Sequence, residues 1–384
     1  MKNTMTKTIL GLALAGGMAT TALSQGVTDT EVLIGSNGDM SGIFAPFNVQ
    51  AIKAAQMIID EKNAAGGVHG RQIKLIVEDH GYQLPKAVAN FNKLINSDGV
   101  FAMMLNLGTP MNIAGFKLME PKQVANLSPL TSARQMLEEP ITYKYAAYSW
   151  YYDQIFKGVD YLLKNKGGEE VCAMYIPSDF GKEIQEAAKA KAEEAGKKWA
   201  AETTHKPDEA DFVGALTKLK EAGCDIVATA LGVRQTIVTV ATAKKLGWND
   251  VTFIGSSAAY HEAIASQPGG ITDGYYAAAG WADYKPRMDN PAVKKWYDAY
   301  KAKYNEEPGM AAILGTGAAE SLIAALEAAG KDLNPETFRT AMEGLKIRDE
   351  IADMDVDYGA DHHGTDVVVI SVVEGGVFKE VARD

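Results

Sequence analysis

Two doubly wound α/β lobes are what this sequence predicts, and three observations lead there. Apolar strand-like runs alternate with amphipathic helix-like stretches along most of the chain. The strand runs are apolar at consecutive positions, as in parallel sheets covered on both faces by helices, where neither face meets water. The cadence also starts twice, in a chain of 384 residues that has room for roughly two domains of 100–200 residues each.

The elements follow in order. Lys2 and Lys7 flank the start of an uncharged run at 8–22, and small residues stand at Ala22 and Ser24. This pattern predicts a signal peptide over 1–24, cut after Ser24, and an exported product in the periplasm. The run is too short and glycine-rich for a membrane anchor, and no cysteine near the cut offers a site for a lipid. A strand is predicted over 32–36 and a helix over 49–65, closed by Gly66-Gly67. Ile73, Leu75 and Val77 alternate as a strand, and a helix follows over 85–95. The stretch 99–105 reads as a buried strand, Pro110 suits the first turn of a helix, and 124–127 is another strand. The cadence restarts at Tyr151 with a helix to Lys164, a strand over 171–176 and helices over 182–195 and 212–222. A strand over 226–230, a helix over 235–246 and a strand over 252–255 complete it.

The last hundred residues change character. Helices are predicted over 290–304, 318–329 and 336–345, then a hairpin of 367–373 and 377–381 through Glu374-Gly375-Gly376. The helices are expected to cover the first lobe and the hairpin to join the second, so the chain crosses between lobes several times. No stretch after the leader reads as long and apolar enough to span a bilayer.

The formal charge of −11 argues against nucleic acid and anionic membranes as partners, since both require a basic face. Cys172 and Cys224 form no CxxC and have no histidine beside them, which argues against zinc. They read as two small buried hydrophobes, with pairing in an oxidising compartment as the alternative.

Several segments together resemble one family. They are Gly38-Asp39-Met40-Ser41-Gly42, the stretch from Ile59-Asp60-Glu61 to His69-Gly70-Arg71, Ser128-Pro129, Asp179-Phe180-Gly181 and Tyr304-Asn305-Glu306-Glu307-Pro308. In this order and spacing the chain, from about Thr30 to its end, resembles the leucine/isoleucine/valine-binding family of type I periplasmic binding proteins. The resemblance implies two lobes joined by three crossover segments and closing on a ligand by hinge motion. It places 27–148 with 281–354 in one lobe and 149–280 with 355–384 in the other. It also implies a monomeric, cofactor-free binding protein that serves an inner-membrane ABC permease with cytoplasmic ATPases.

In open parallel sheets, ligands lie beyond the carboxyl ends of the strands, near helix N-termini. Leu107-Gly108-Thr109 occupies such a place ahead of Pro110. Thr109 reads either as a plain helix cap or as a hydroxyl for a ligand carboxylate, and the resemblance implies the second role. Leu130, Thr131 and Ser132 follow Ser128-Pro129 in the same manner, and the resemblance gives Leu130 and Ser132 ligand contacts. It also implies that Phe47 and Phe180 cover the ligand from the two lobes; core packing is the alternative for both.

The departures carry information. Amino-acid-binding members of the family neutralise the ligand ammonium with acids on the second lobe, where this chain aligns Tyr151 and Ser257. A buried ammonium without a carboxylate is costly, so the expected ligand is an aromatic or branched aliphatic carboxylate lacking one. A hydrophobic amino acid bound with an altered ammonium site is the alternative. Trp150 and Tyr151 belong to an aromatic cluster over 148–152 suited to a flat or apolar ligand, to a cation held on ring faces, or to hinge and interlobe packing. Arg234, expected in the loop after strand 226–230, is a candidate second anion contact or a solvated side chain.

Enzyme readings find no support: there is no G-x-S-x-G, P-loop or H-E-x-x-H. Ser178-Asp179 and His261 lack a triad context, and His362-His363 reads as a solvated turn rather than a metal site. A ligand-sensing module for a receptor is the alternative to a transport role.

Overall fold

The computed structural model describes residues 24–384, so the predicted signal peptide lies outside the described residues but for Ser24. The first run comprises β1 (Glu31–Gly38), α1 (Ala45–Ala64), β2 (Gln72–Asp79), α2 (Leu84–Asn92), β3 (Ala102–Met104), α3 (Thr109–Met119), β4 (Ala125–Leu127) and β5 (Lys144–Tyr145). Its sheet has the order β2-β1-β3-β4-β5 and is parallel throughout.

The second run comprises α4 (Tyr151–Lys166), β6 (Glu170–Tyr175), α5 (Asp179–Glu194), β7 (Lys198–Thr204), α6 (Val213–Glu221), β8 (Ile226–Ala230), α7 (Val233–Lys245), β9 (Thr252–Gly255), α8 (Glu262–Ala265) and β10 (Tyr276–Ala279). The chain ends with α9 (Pro291–Tyr304), α10 (Met310–Ala329), α11 (Pro335–Glu343), β11 (Lys346–Asp349), β12 (Met354–Asp357), β13 (Val369–Glu374) and β14 (Val377–Arg383). The second sheet has the order β14-β13-β10-β9-β8-β6-β7. Strands β6 to β10 run parallel, and the terminal hairpin adds antiparallel to β10. The terminal hairpin therefore joins the second sheet, while β11 and β12 pair separately with each other.

Burial explains which strands were legible. All of β8 is buried, and so is β6 after its first residue, which produces a continuous apolar run. By contrast β7 is a half-buried edge strand of sequence KWAAETT, and β10 is YAAA. Neither has the β-branched run that marks a strand, and neither was predicted. Helix α10 begins two turns before the predicted start and is long and apolar enough to cross a membrane, contrary to the sequence expectation. Its apolar length is instead mostly buried inside the first lobe, along α1. The two helices approach so closely that a Cβ on Gly315 would stand 1.9 Å from the Ala51 carbonyl oxygen.

Cys172 and Cys224 form a disulfide with a Cα separation of 5.9 Å, which overturns the reading of two free buried thiols. Neighbouring parallel strands bring them together, Cys172 lying on β6 and Cys224 just ahead of β8. Sequence spacing alone carries no information about that adjacency.

Three chain passages join the sheets, after β5, after β10 and after β12. Ala146 and His363 pair as an isolated bridge between the first and third, and Tyr148 of the first meets Trp281 of the second with ring centroids 5.3 Å apart.

Candidate functional site

The carboxyl ends of the parallel strands in both lobes face one cavity between them. Its wall takes Phe44 and Phe47 from the start of α1, Tyr82 after β2, Leu107 to Thr109 after β3, and Ser128 to Ser132 after β4. From the crossovers and second lobe come Tyr148, Tyr151, Phe180 after β6, Ser257 after β9 and Trp281 after β10.

The first-lobe loops are fixed by buried amides. The Asn37 N–H donates to Asn106 Oδ1 at 2.8 Å, Asn106 Nδ2 to Asn126 Oδ1 at 2.7 Å, and Asn126 Nδ2 to Asn112 Oδ1 at 3.1 Å. Asn112 Nδ2 in turn donates to the carbonyls of Asn106 and Gly108, at 3.0 and 2.9 Å. His80 closes the same scaffold: its Nδ1 accepts the Tyr82 N–H at 2.9 Å, so Nε2 carries the proton and donates to the Leu107 carbonyl at 3.1 Å. Burial lowers the pKa of His80, which keeps the ring neutral in this role.

Gly108 caps α3 with φ of +98°, a left-handed conformation that favours glycine. Thr109 is the first residue of the helix, not its cap, and its hydroxyl meets that of Thr131 at 2.6 Å. The first N–H groups of α3 have no carbonyl partner within their own helix and add positive potential beside these hydroxyls.

The second-lobe wall is largely aromatic. Tyr151 and Phe180 meet with ring centroids 5.2 Å apart, and Phe180 reaches Phe44 of the first lobe at 6.0 Å. The Tyr151 N–H donates to the Ser132 carbonyl at 2.7 Å, and the Ser257 N–H to Gln154 Oε1 at 2.9 Å. Among the described residues no acidic, basic or histidine side chain lines the cavity. Burial pushes the Tyr82 and Tyr148 phenols far up and Tyr151 to about 12, so the whole wall is neutral at ordinary pH. The arrangement suits binding: hydroxyls and a helix N-terminus for an anionic or polar end, and rings for an apolar body.

Ten predicted residues come together here: Phe47, Leu107, Gly108, Thr109, Leu130, Thr131, Ser132, Tyr151, Phe180 and Ser257. Two do not. Trp150 stacks on the His363 imidazole at 4.0 Å, because it precedes α4 in an extended conformation while Tyr151 begins the helix. Arg234 is exposed in the first turn of α7 rather than in a loop, because that helix starts at Val233. His362-His363 is not a solvated turn either. His362 is buried with Nε2 3.3 Å from Glu343, and His363 Nε2 lies 3.1 Å from the Tyr148 carbonyl. Among the described residues no group of three or more His, Cys, Asp or Glu is placed to hold a metal.

Sequence reasoning missed Phe44, Tyr82 and Trp281 as wall residues, and of the aromatic cluster over 148–152 it singled out Trp150 where Tyr148 lines the wall. Tyr82 follows Gly81 at the end of β2, the same signal that marked Thr109. Trp281 follows β10, a strand that left no pattern to read.

The family model described as periplasmic binding protein matches residues 31–376. An amino acid binding protein of Pseudomonas aeruginosa is 25% identical over 228 residues, 59% of this chain and 59% of that protein. The chain thus spans less than two thirds of that relative's length. A leucine-, isoleucine-, valine-, threonine- and alanine-binding protein of the same organism is 24% identical over 346 residues, 86% of this chain and 87% of that one. Among solved structures, a fatty acid ABC transporter substrate-binding protein from Thermomonospora curvata superposes with a TM-score of 0.84 at 25% identity, covering 94% of this chain and 93% of that one.

Proposed function

The chain belongs to the periplasmic binding protein family, and on that premise we propose that it is the substrate-binding protein of an ABC importer. In this reading it acts in the periplasm as a non-catalytic monomer without a cofactor and delivers its ligand to an inner-membrane permease with cytoplasmic ATPases. Its lobes are 27–148 with 281–354 and 149–280 with 355–384. Between them it takes an aromatic or branched aliphatic carboxylate that lacks an ammonium group.

The neutral wall is the observation that carries the ligand class. A carboxylate is well held by hydroxyls and helix N–H groups without a countercharge, as Thr109, Thr131, Ser132 and the start of α3 provide. An ammonium buried against the same wall finds no carboxylate, and its desolvation goes uncompensated. The similarity to the fatty acid ABC transporter substrate-binding protein of Thermomonospora curvata supports a ligand of this type. The relatives named for amino acids favour a second reading, a hydrophobic amino acid with its ammonium on neutral oxygens.

Thermal shift with matched pairs separates the two: 4-methylpentanoate against leucine, and phenylacetate against phenylalanine. A ligand that binds only the folded state raises the midpoint according to its affinity. The acids are expected to raise it and the amino acids not; the reverse result moves the assignment to the second reading.

A further inference from the structure

We propose that two carboxylates of the second lobe, Glu183 and Glu262, are positioning residues for ligand binding that latch the cleft shut from outside the cavity. This rests on the reading that the cavity holds its ligand between the lobes.

Glu262, at the start of α8, reaches the N-terminus of α10 in the first lobe. Its Oε2 accepts the Met310 N–H at 2.9 Å, and its Oε1 accepts from Gln50 Nε2 at 2.5 Å. The N-cap of α10 is Gly309, which makes no side-chain cap hydrogen bond. A twenty-residue helix of the first lobe is therefore capped by an acid of the second.

Glu183 lies on α5, one turn beyond Phe180, with its side chain only 2% exposed. It accepts the Arg134 backbone N–H at 3.1 Å, Arg134 Nε at 3.2 Å and the Tyr152 N–H at 3.3 Å. The Arg134 guanidinium also sits 4.0 Å over the Tyr152 ring. Opening the lobes would leave Glu183 with the Tyr152 N–H of its own lobe and remove both Arg134 contacts.

Chain connectivity ties this latch to the ligand. Arg134 follows Ser132 by two residues, Tyr152 adjoins Tyr151, and Phe180 precedes Glu183 by three, so each cavity residue shares a short stretch of backbone with a latch residue. Ligand contacts that order Ser132, Tyr151 and Phe180 also bring Arg134, Tyr152 and Glu183 into register. The latches thereby set affinity through the closed population without touching the ligand.

Small-angle scattering of the ligand-free protein, and stopped-flow release of 4-methylpentanoate and leucine, test this with Glu262→Ala, Arg134→Ala and Glu183→Gln. Each variant is expected to have a larger radius of gyration than the parent and to release whichever probe binds about tenfold faster. Arg134→Ala strips Glu183 from the exposed side, so the test stands even if Glu183→Gln fails to fold. A radius of gyration unchanged in both Glu262→Ala and Arg134→Ala overturns the proposal, as does an unchanged release rate. Should neither probe bind, the branched aliphatic assignment is wrong while the scattering still decides the latches.

Discussion

The first-lobe wall of the cavity carries most of its hydroxyls, on loops tied together by asparagines and beside the rings of Phe44, Phe47 and Tyr82, whereas the second-lobe wall presents Tyr151 and Phe180 on elements tied elsewhere. Beneath Thr109 and Thr131, four asparagines pass hydrogen bonds from β1 across to α3 and β4. Beneath Tyr151 and Phe180 there is apolar packing, and the nearby strands β6 and β8 are stapled by Cys172–Cys224. A polar end of a ligand needs donors held to a few tenths of an ångström, which a closed hydrogen-bond network supplies. An apolar end needs area and exclusion of water, which packed rings supply with less demand on direction. On the proposed reading, the hydroxyl-bearing loops of the first lobe recognise the polar end of the ligand and the second lobe helps cover its apolar body.

Removing the second lobe's staple tests the contrast most severely. Cys172 and Cys224 stand 52 residues apart in sequence, and a loop of that size corresponds to about 4 kcal/mol by chain entropy. The Cys172→Ala/Cys224→Ala protein is expected to lose about that much in urea unfolding, with the loss confined to the second lobe and seen as two separated transitions. One cooperative transition at the parent midpoint would show that the second lobe does not depend on the bridge.

The matching test of the first lobe is Asn112→Leu. It leaves Asn126 Nδ2 without its acceptor in a buried site and removes one of two donors from each of the carbonyls of Asn106 and Gly108. About 3 kcal/mol of stability should go, together with most of the affinity for whichever acid binds. Isothermal titration at a temperature where the variant remains folded separates the two losses. Retained affinity would mean that the loop after β3 does not need its scaffold.

The same contrast governs how much was legible in the sequence. The loops after β3 and β4 announced themselves, because a buried strand, a glycine or proline and a hydroxyl stand in consecutive positions. Phe47 and Phe180 came from family resemblance alone, since an isolated aromatic in a sequence reads as core. The asparagine network was invisible: Asn37, Asn106, Asn112 and Asn126 are scattered, and only strand adjacency joins them. Pairing of Cys172 with Cys224 failed for the same reason, as did Trp281, which follows an alanine-rich strand without a β signature. Arg234 misled because the start of α7 was placed two residues late.

A smaller effect is expected from Glu320 on α10, a carboxylate of the first lobe outside the cavity. Among the described residues no cation pairs with it. Burial, with Asp349 and Glu61 nearby, raises its pKa to about 7. The folded pKa exceeds the unfolded one, so the native state holds the proton more tightly. Its contribution to stability is present below about pH 4.5 and fades as pH rises through about 7. Glu320→Gln should therefore flatten that fall and add roughly 2 kcal/mol at pH 8, measured by denaturation across pH. His80 acts with the opposite sign: its lowered pKa costs stability as pH drops below its ordinary value of 6.5. An unchanged profile in Glu320→Gln would assign the fall to the other carboxyls that burial raises, Glu183 to about 7 and Asp283 to about 6.

Thr109→Val is the finest of these tests, because it alters one hydroxyl and almost no volume. The Thr109 hydroxyl faces that of Thr131 at 2.6 Å, so one accepts the other's proton and offers its own to a ligand oxygen. Replacing it should weaken an acid by about 1.5 kcal/mol, or roughly tenfold, in titration calorimetry. Thr131→Val should behave alike, and the double variant should lose less than the sum, because the first substitution already breaks the shared pair. Phe180→Leu on the facing wall supplies the contrast: it trims apolar area and is expected to cost the acid and its uncharged amide equally. Thr109→Val should instead penalise the acid more than the amide, since a charged acceptor gains more from the lost donor. Equal penalties from both walls would erase the division of labour between the lobes and leave the cavity a uniform apolar pocket with incidental hydroxyls.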